Sequence, residues 1–315
     1  MGNSLPVRTI FLILIFISCT KTGNIFERGD VYTKVFNIDS TYSYFTETSH
    51  SSSPFIYTGE RDSFKTKSLI QFTAPDTIDS IYLFLIGDEV NDTIFFFTLK
   101  DSFKEDSITY SMVNSLKNYL YFKNYYNNDT ILLKITPPYD SVKNGLIIES
   151  NNFYKFCSKE NSPYSFVVLF EKARKDTLKF TKDAYVCYHP FLNDTTDTLF
   201  LSSGVSGRID FFIPRDSLNL DSLFSRFDIS LKVSSTCTLS VNIKLREKVF
   251  KTIGTGRVDT TGYISIISGV KDLRSLKDTM ENLKFTLFLK NESYNPRMIK
   301  IDSLKVLLMY VEDKE

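Results

Sequence analysis

Cys19 stands where residue type and spacing together specify a reaction. It follows the small residue Ser18 at the end of the apolar run Ile10 to Ile17, which is eight residues long and preceded by one basic residue, Arg8. A core of that length suits a cleaved leader, because a membrane-spanning helix needs about 20 apolar residues. Phe16-Ile-Ser-Cys19 has the form of a lipobox, apolar three before the cysteine and small directly before it. The expected chemistry is removal of residues 1–18 and acylation of Cys19. At about 0.8 kcal/mol per buried methylene, one acyl chain binds reversibly and several hold a protein permanently. An ordinary secretory leader beside an incidental cysteine is the alternative. Myristoylation at Gly2 fails, since Pro6 sits where that motif needs Ser or Thr.

Catalytic chemistry is harder to place. His50 and His189 are the only histidines, and neither has a cysteine or acid at metal-ligand spacing. No Gly-x-Ser-x-Gly elbow or His-Glu-x-x-His helix occurs, so both are expected as surface loop residues and no enzyme step is assigned. Asp101, Glu105 and Asp106 carry the oxygens that calcium takes, but without an EF-hand loop a solvated turn is the expectation, and no cofactor is predicted. Nothing in the spacing selects a carboxylate pair for glycoside hydrolysis. If Cys19 is acylated, Cys157, Cys187 and Cys237 remain; a Cys187 to Cys237 disulfide and buried free thiols both fit that odd number.

One segment invites a ligand. Asn118 to Asn128 is dense in tyrosine and amide side chains, with Tyr119, Tyr121, Tyr125 and Tyr126 as candidate binding residues. Aromatic faces stack on sugar C–H groups while amides bond hydroxyls. The alternative is an insertion whose rings pack onto the fold and whose asparagines form turns.

The elements that would position these residues are strands. The chain has 28 Phe and 18 Tyr among many Ile, Val, Thr and Leu, which is strand material. Short apolar runs recur at Val31 to Ile38, Phe55 to Thr58, Ser68 to Thr73, Ser80 to Ile86, Thr93 to Leu99, Thr130 to Ile135, Leu146 to Glu149 and Tyr164 to Phe170. Asn-Asp-Thr triplets at Asn91, Asn128 and Asn193 read as turns that start strands. Thirty-eight basic and 37 acidic residues are interspersed, and the leader removes one arginine, which argues against nucleic acid as a partner.

The pattern occurs twice. Ile70, Phe72, Pro75, Asp79 and Ser80 match Ile209, Phe211, Pro214, Asp221 and Ser222, and each set follows a strand ending in glycine, at Gly59 and Gly204. Each half closes with a proline and an apolar strand, Pro163 before Phe166 to Phe170 and Pro296 before Leu304 to Val311. The predicted fold class is all-β, two tandem jelly-roll-like antiparallel β-sandwich domains after a cleaved signal peptide. The boundaries expected are a leader over 1–18, a lipidated tether over 19–29, and sandwich modules over 30–173 and 176–315, divided at the charged stretch Glu171 to Thr177.

The first module resembles the DNRLRE-type domains, which are related to archaeal disaggregatase repeats and to carbohydrate-binding module family ninety-six. Tyr57 to Gly59 and Leu69 to Phe72 match the family's opening strands. Phe103 to Tyr110 resembles its central segment, with Glu105 and Thr109 retained and Phe103 and Tyr110 where tryptophans are usual. Asn144 to Ile148, Phe156 to Glu160 and Pro163 to Phe170 complete the order across residues 39–171. The second module keeps only the opening and closing elements. The resemblance implies a β-sandwich and, through some members, carbohydrate binding. Together these readings predict a membrane-anchored lipoprotein of the outer membrane or cell surface, with a polysaccharide or another envelope protein as partner.

Overall fold

The computed structural model describes residues 31–311 apart from 38–40, 74–77, 137, 162–163, 172–173, 193–197, 214–222, 246–247, 259–260, 267–282 and 291–294. The leader, Cys19 and the tether lie outside the described residues, as do Pro75, Asn193, Pro214, Asp221 and Ser222. The described fold is all-β, two antiparallel sheets with one α-helix.

The opening strands are β1 (Val31–Asn37), β2 (Thr41–Thr46), β3 (Phe55–Arg61), β4 (Phe64–Gln71) and β5 (Ser80–Leu99). After helix α1 (Tyr110–Leu116) come β6 (Lys117–Ile135), β7 (Leu146–Ser150), β8 (Tyr154–Cys157), β9 (Phe166–Glu171), β10 (Arg174–Lys179) and β11 (Lys182–Tyr188). The chain continues through β12 (Leu199–Ser203), β13 (Ser206–Ile213), β14 (Leu223–Val233), β15 (Cys237–Leu245), β16 (Lys248–Val258), β17 (Thr261–Ile266), β18 (Leu283–Leu289) and β19 (Arg297–Val311).

Side-chain alternation explains the first sheet. Ile81, Leu83 and Leu85 are buried at odd positions of β5, Ile94, Phe96 and Thr98 at even ones. Side chains alternate with period 2, so a straight strand would turn one set to solvent. A bulge between Ile86 and Val90 absorbs the slip and keeps both sets on the core. One continuous strand thus replaces the expected pair Ser80 to Ile86 and Thr93 to Leu99. The first half of β5 pairs with β9 and the second half with β7, while β6 runs beside both. Asn91-Asp-Thr93 and Asn128-Asp-Thr130 therefore lie inside strands, where Val90 faces Asn128, instead of forming turns. Asp92 has other work: its carboxylate accepts from Thr93 N (2.6 Å) and Asn152 N (3.0 Å).

Nine strands form this sheet, in the order β10-β9-β5-β7-β4-β3-β8, with β11 on β4, β6 on β5, and β8 returning to touch β5 at Gly87. Ten form the other, β16-β15-β18-β13-β12-β19-β14-β17, with β1 on β19 and β2 on β13. The pairing pattern repeats between them. β4 is flanked by β7 and β11 after a hairpin with β3, and β13 by β18 and β2 after a hairpin with β12. Gly59, inside β3, and Gly204, directly after β12, stand at φ +97° and +93°, a left-handed conformation that favours glycine. A Cβ at Gly59 would stand 1.8 Å from Asn152 O.

The sheets do not follow the expected cut between 173 and 176. β10 and β11 belong to the nine-stranded sheet, whereas β1 and β2, from the start of the chain, belong to the ten-stranded one. Within the charged stretch Glu171 pairs with Arg174, and the chain continues into the exposed edge strand β10, where charge protects an unpaired edge. One sheet is contiguous over 55–188; the other needs 31–46 as well as the second half. A fragment 48–190 is accordingly expected to unfold cooperatively in urea. Fragment 176–315 is expected to lack near-ultraviolet circular dichroism until a 30–47 peptide is added. Cooperative folding of 176–315 by itself would contradict this partition.

Candidate functional site

The face of β4, β7 and β5 turned away from the main core has its own small cluster. Leu69, Ile147, Leu99, Phe103, Ile108, Val113, Ala184 and Val186 are buried under the 100–116 segment, with Phe97, Tyr110 and Leu116 packed at its rim. α1 begins where Thr109 Oγ1 accepts from Met112 N (3.4 Å), an N-cap contact that places Tyr110 beside the sheet. This cover stops short of the strand ends, leaving a cleft of about 340 Å³ lined by Gly59, Lys67, Phe95, Phe97, Tyr110 and Glu149 among others.

Register sets the cleft floor. Phe95 on β5 stands between Glu149 on β7 and Lys123 on β6, with Lys67 of β4 beyond Glu149. Glu149 lies 2.7 Å from Lys67 Nζ at one oxygen and 2.7 Å from Lys117 Nζ at the other. Lys67 also donates to Asn114 Oδ1 (2.7 Å) and stands 5.1 Å from the Tyr110 ring centre, while Lys117 lies 3.5 Å from that of Phe97. Burial by itself would raise the Glu149 carboxyl, but the two lysines outweigh it and hold it below the usual range. Burial, with the charges of Glu149 and Glu60 behind it, pushes the Tyr110 phenol up to about 12 and keeps it a neutral donor. The cleft thus offers aromatic faces next to fixed hydrogen-bonding groups, a pairing suited to a ligand with apolar and hydroxyl surfaces.

The four candidate tyrosines do not form one surface. They lie on β6, which among the described residues is an edge strand bonded only to β5. Tyr125, 58% exposed, shares the cleft's face with Thr93 and Phe95, whereas Tyr126, 7% exposed, turns into the core and donates to Leu132 O (3.1 Å). Tyr121 packs against the main core from a bulge, and Tyr119 is 49% exposed at the edge. The expected insertion loop is therefore a strand, and strand alternation divides its rings.

Both histidines correct the surface-loop expectation. Each is 5% exposed. His50 donates through Nε2 to Gly204 O (2.5 Å) and stacks on Tyr185 with ring centres 4.4 Å apart. His189 accepts from Phe191 N at Nδ1 (3.2 Å) and packs 4.7 Å from Phe64. Burial lowers His50 to about 4 against the raising effect of the Gly204 bond, and burial lowers His189 too. Cys157, Cys187 and Cys237 are buried free thiols, so the Cys187 to Cys237 disulfide does not form.

Glu105 leaves the acidic cluster for a different network. It pairs with Lys159 Nζ and accepts from Asp183 N (2.7 Å), while Asp106 accepts from Ser51 Oγ (2.9 Å). Asp183, fully buried, accepts from Lys159 N (2.5 Å), and burial pushes its carboxyl up to about 7. Among the described residues no group of three potential metal ligands comes together, and no helix is long and apolar enough to cross a membrane.

No family model and no curated protein matches the chain. Among solved structures it is similar to a protein of Parabacteroides distasonis that is presumed to be secreted, at 11% identity and TM-score 0.25, over 90% of this chain and 93% of that one. Two structures of infectious bursal disease virus align more weakly. The Gx strain structure matches at 11% identity and TM-score 0.16 over 90% of this chain and 72% of that one. The VP2 subviral particle matches at 10% identity and TM-score 0.17, covering 98% and 78%. Overlap at these scores carries no argument about this chain.

His50 and Asp183 set opposite pH trends. His50 is depressed on folding, so its contribution is full above pH 6.5 and is lost as pH falls toward 4, about 3 kcal/mol at 1.36 kcal/mol per unit. Asp183 is raised on folding, so its contribution is full below the unfolded carboxylate value and is lost as pH rises through about 7. Urea midpoints between pH 4 and 8 are expected to show a shallower acid limb in His50→Gln, where His189 still contributes, and a shallower decline toward pH 7 in Asp183→Asn. Unchanged profiles would contradict the assignment.

Proposed function

We propose that this chain is a lipid-anchored envelope protein that displays its two β-sheets at a membrane surface and binds glycan there without catalysis. The observation that carries the binding reading is the cleft, with Phe95, Phe97 and Tyr110 as stacking faces beside the Lys67, Glu149 and Lys117 ion pairs. Sugar rings present apolar C–H faces and hydroxyls together, the two demands such a lining meets. The anchor reading is supported by Cys19 at the end of its apolar run, twelve residues before β1 begins at Val31. Catalysis is left out because both histidines are committed to buried contacts.

A second reading, attachment to another envelope protein, is supported by the β6 edge. Tyr119, Leu120, Phe122 and Tyr125 are all exposed along a strand bonded on one side only, which suits strand addition by a partner.

A glycan array with the full chain tests the first reading. Phe97→Ala and Tyr110→Ala are each expected to weaken a hit by on the order of tenfold, equivalent to 1.4 kcal/mol. A clean array, or hits indifferent to both changes, would contradict glycan binding. For the anchor, Cys19→Ser is expected to move the protein out of the membrane fraction, and retention there would overturn acylation at Cys19.

A further inference from the structure

We propose that the N-terminal strand pair, residues 31–46, is an exchangeable docking segment, and that a second copy of this chain can supply it to give a closed, strand-exchanged dimer. The seat is an extended backbone ladder. β1 pairs with β19 from Val31↔Val311 to Asn37↔Lys305, and β2 with β13 from Thr41↔Phe211 to Thr46↔Ser206. Without the segment, β13 keeps β18 and the C-terminal part of β19 keeps β14, each strand losing its partner on the other side. Such edges are templates for any matching strand. The seat also takes side chains: Phe45 is buried in the main core, and buried Ser43 accepts from Phe200 N (2.8 Å) and donates to Thr198 O (3.4 Å).

The two sheets show that this position does not depend on which end of the chain delivers it. In the nine-stranded sheet the equivalent pair, β10 and β11, arrives by a hairpin directly after β9, with Glu171↔Arg174 at the turn. In the ten-stranded sheet the corresponding place has no hairpin: Val31 and Val311, far apart in sequence, lie opposite each other. The donor strands therefore reach their seat only through residues 47–54, which lead away to β3 in the other sheet. A segment from a second molecule reproduces every ladder bond, and the two forms differ only in the connector and in association entropy, the conditions under which strand exchange yields a closed dimer. A reciprocal exchange fills both β13 and β19 seats, so the exchange itself stops at two.

Two full-length single variants, purified in detergent, separate exchange from self-pairing. Tyr44 and Arg208 are register partners. A Tyr44→Cys chain and an Arg208→Cys chain, unfolded, mixed and refolded together at high concentration, are expected to yield an oxidised heterodimer whose peptide map joins positions 44 and 208. Only the seating of one chain's β2 on the other's β13 gives that link. The double variant on one chain, expected to close the link within a monomer at low concentration, shows that the geometry allows it. If the double variant closes and the co-refolded mixture gives no 44 to 208 link, the proposal is overturned. Should the substitutions impair folding, unmodified chains carrying two different C-terminal tags provide the same comparison. Co-refolding at high concentration is expected to give a mixed dimer by native mass spectrometry, and its absence overturns exchange.

Discussion

Backbone pairing along β4 and β13 is the constraint on which the rest of the molecule depends. A central strand must bond on both sides, because an unpaired backbone group buried away from water costs about as much as a lost hydrogen bond. Each strand finds one flank in its own half, β7 for β4 and β18 for β13. The other flank comes from across the sequence, β11 at the opening of the second half for β4, and β2 at the opening of the first for β13. Supplying both flanks forces the chain to pass between the sheets after β2 and again after β11.

Those crossings explain why polar and aromatic groups gather at the junction. His50 lies on one crossing and His189 opens the other, and each imidazole is packed against rings with one nitrogen bonded to backbone. Phe191 sits 6.1 Å from Phe45 and 5.7 Å from Phe200, joining strands of the exchanged segment and the second half. The exchanged strands also carry a matched buried polar position: Ser43 faces Ile209 as Asp183 faces Ile70. Ser43 satisfies itself with backbone of the neighbouring strand, whereas Asp183 relies on Lys159 N and leaves one oxygen without a hydrogen-bond partner. The same place in the two sheets thus holds a neutral hydroxyl in one and a buried acid in the other.

The all-β class was legible in the sequence because alternation and turn residues speak locally, and the internal match of Ile70 and Phe72 with Ile209 and Phe211 picked out residues that are all buried in strands or beside them. What was not legible depends on pairing between distant segments. The stretch at Glu171 to Thr177 read as a linker because an exposed edge strand and a linker share the same charged composition. Asn91 read as a turn because nothing nearby shows that Asp92 is held by Asn152. His50 read as a surface residue because its neighbours in sequence are polar, and His189 because no ligand partner lies at metal spacing, while the rings that bury them come from Tyr185 and Phe64. The cleft left one faint trace, Phe95-Phe-Phe97. Three phenylalanines in a strand give both faces apolar side chains, and a strand with only one buried face would have alternated.

That double-sided strand is also what makes a cleft physically tolerable. Ile94 and Phe96 fill the main core, while Phe95 and Phe97 need cover on the opposite face, and α1 with the 100–116 segment covers only part of it. The remainder would be a bare apolar patch, the kind that drives association. Lys67, Lys117 and Glu149 divide it: two cations share one carboxylate over the aromatic floor, and each ammonium lies against a ring, Lys67 Nζ at Tyr110 and Lys117 Nζ at Phe97. An uncompensated charge there would be costly, since removing one member of a part-buried ion pair leaves its partner desolvated. The ion pairs therefore do for the open part of the face what α1 does for the closed part. Because they do it with polar atoms rather than with a second hydrophobic layer, the face remains a concave surface with aromatic floor and fixed donors instead of becoming core.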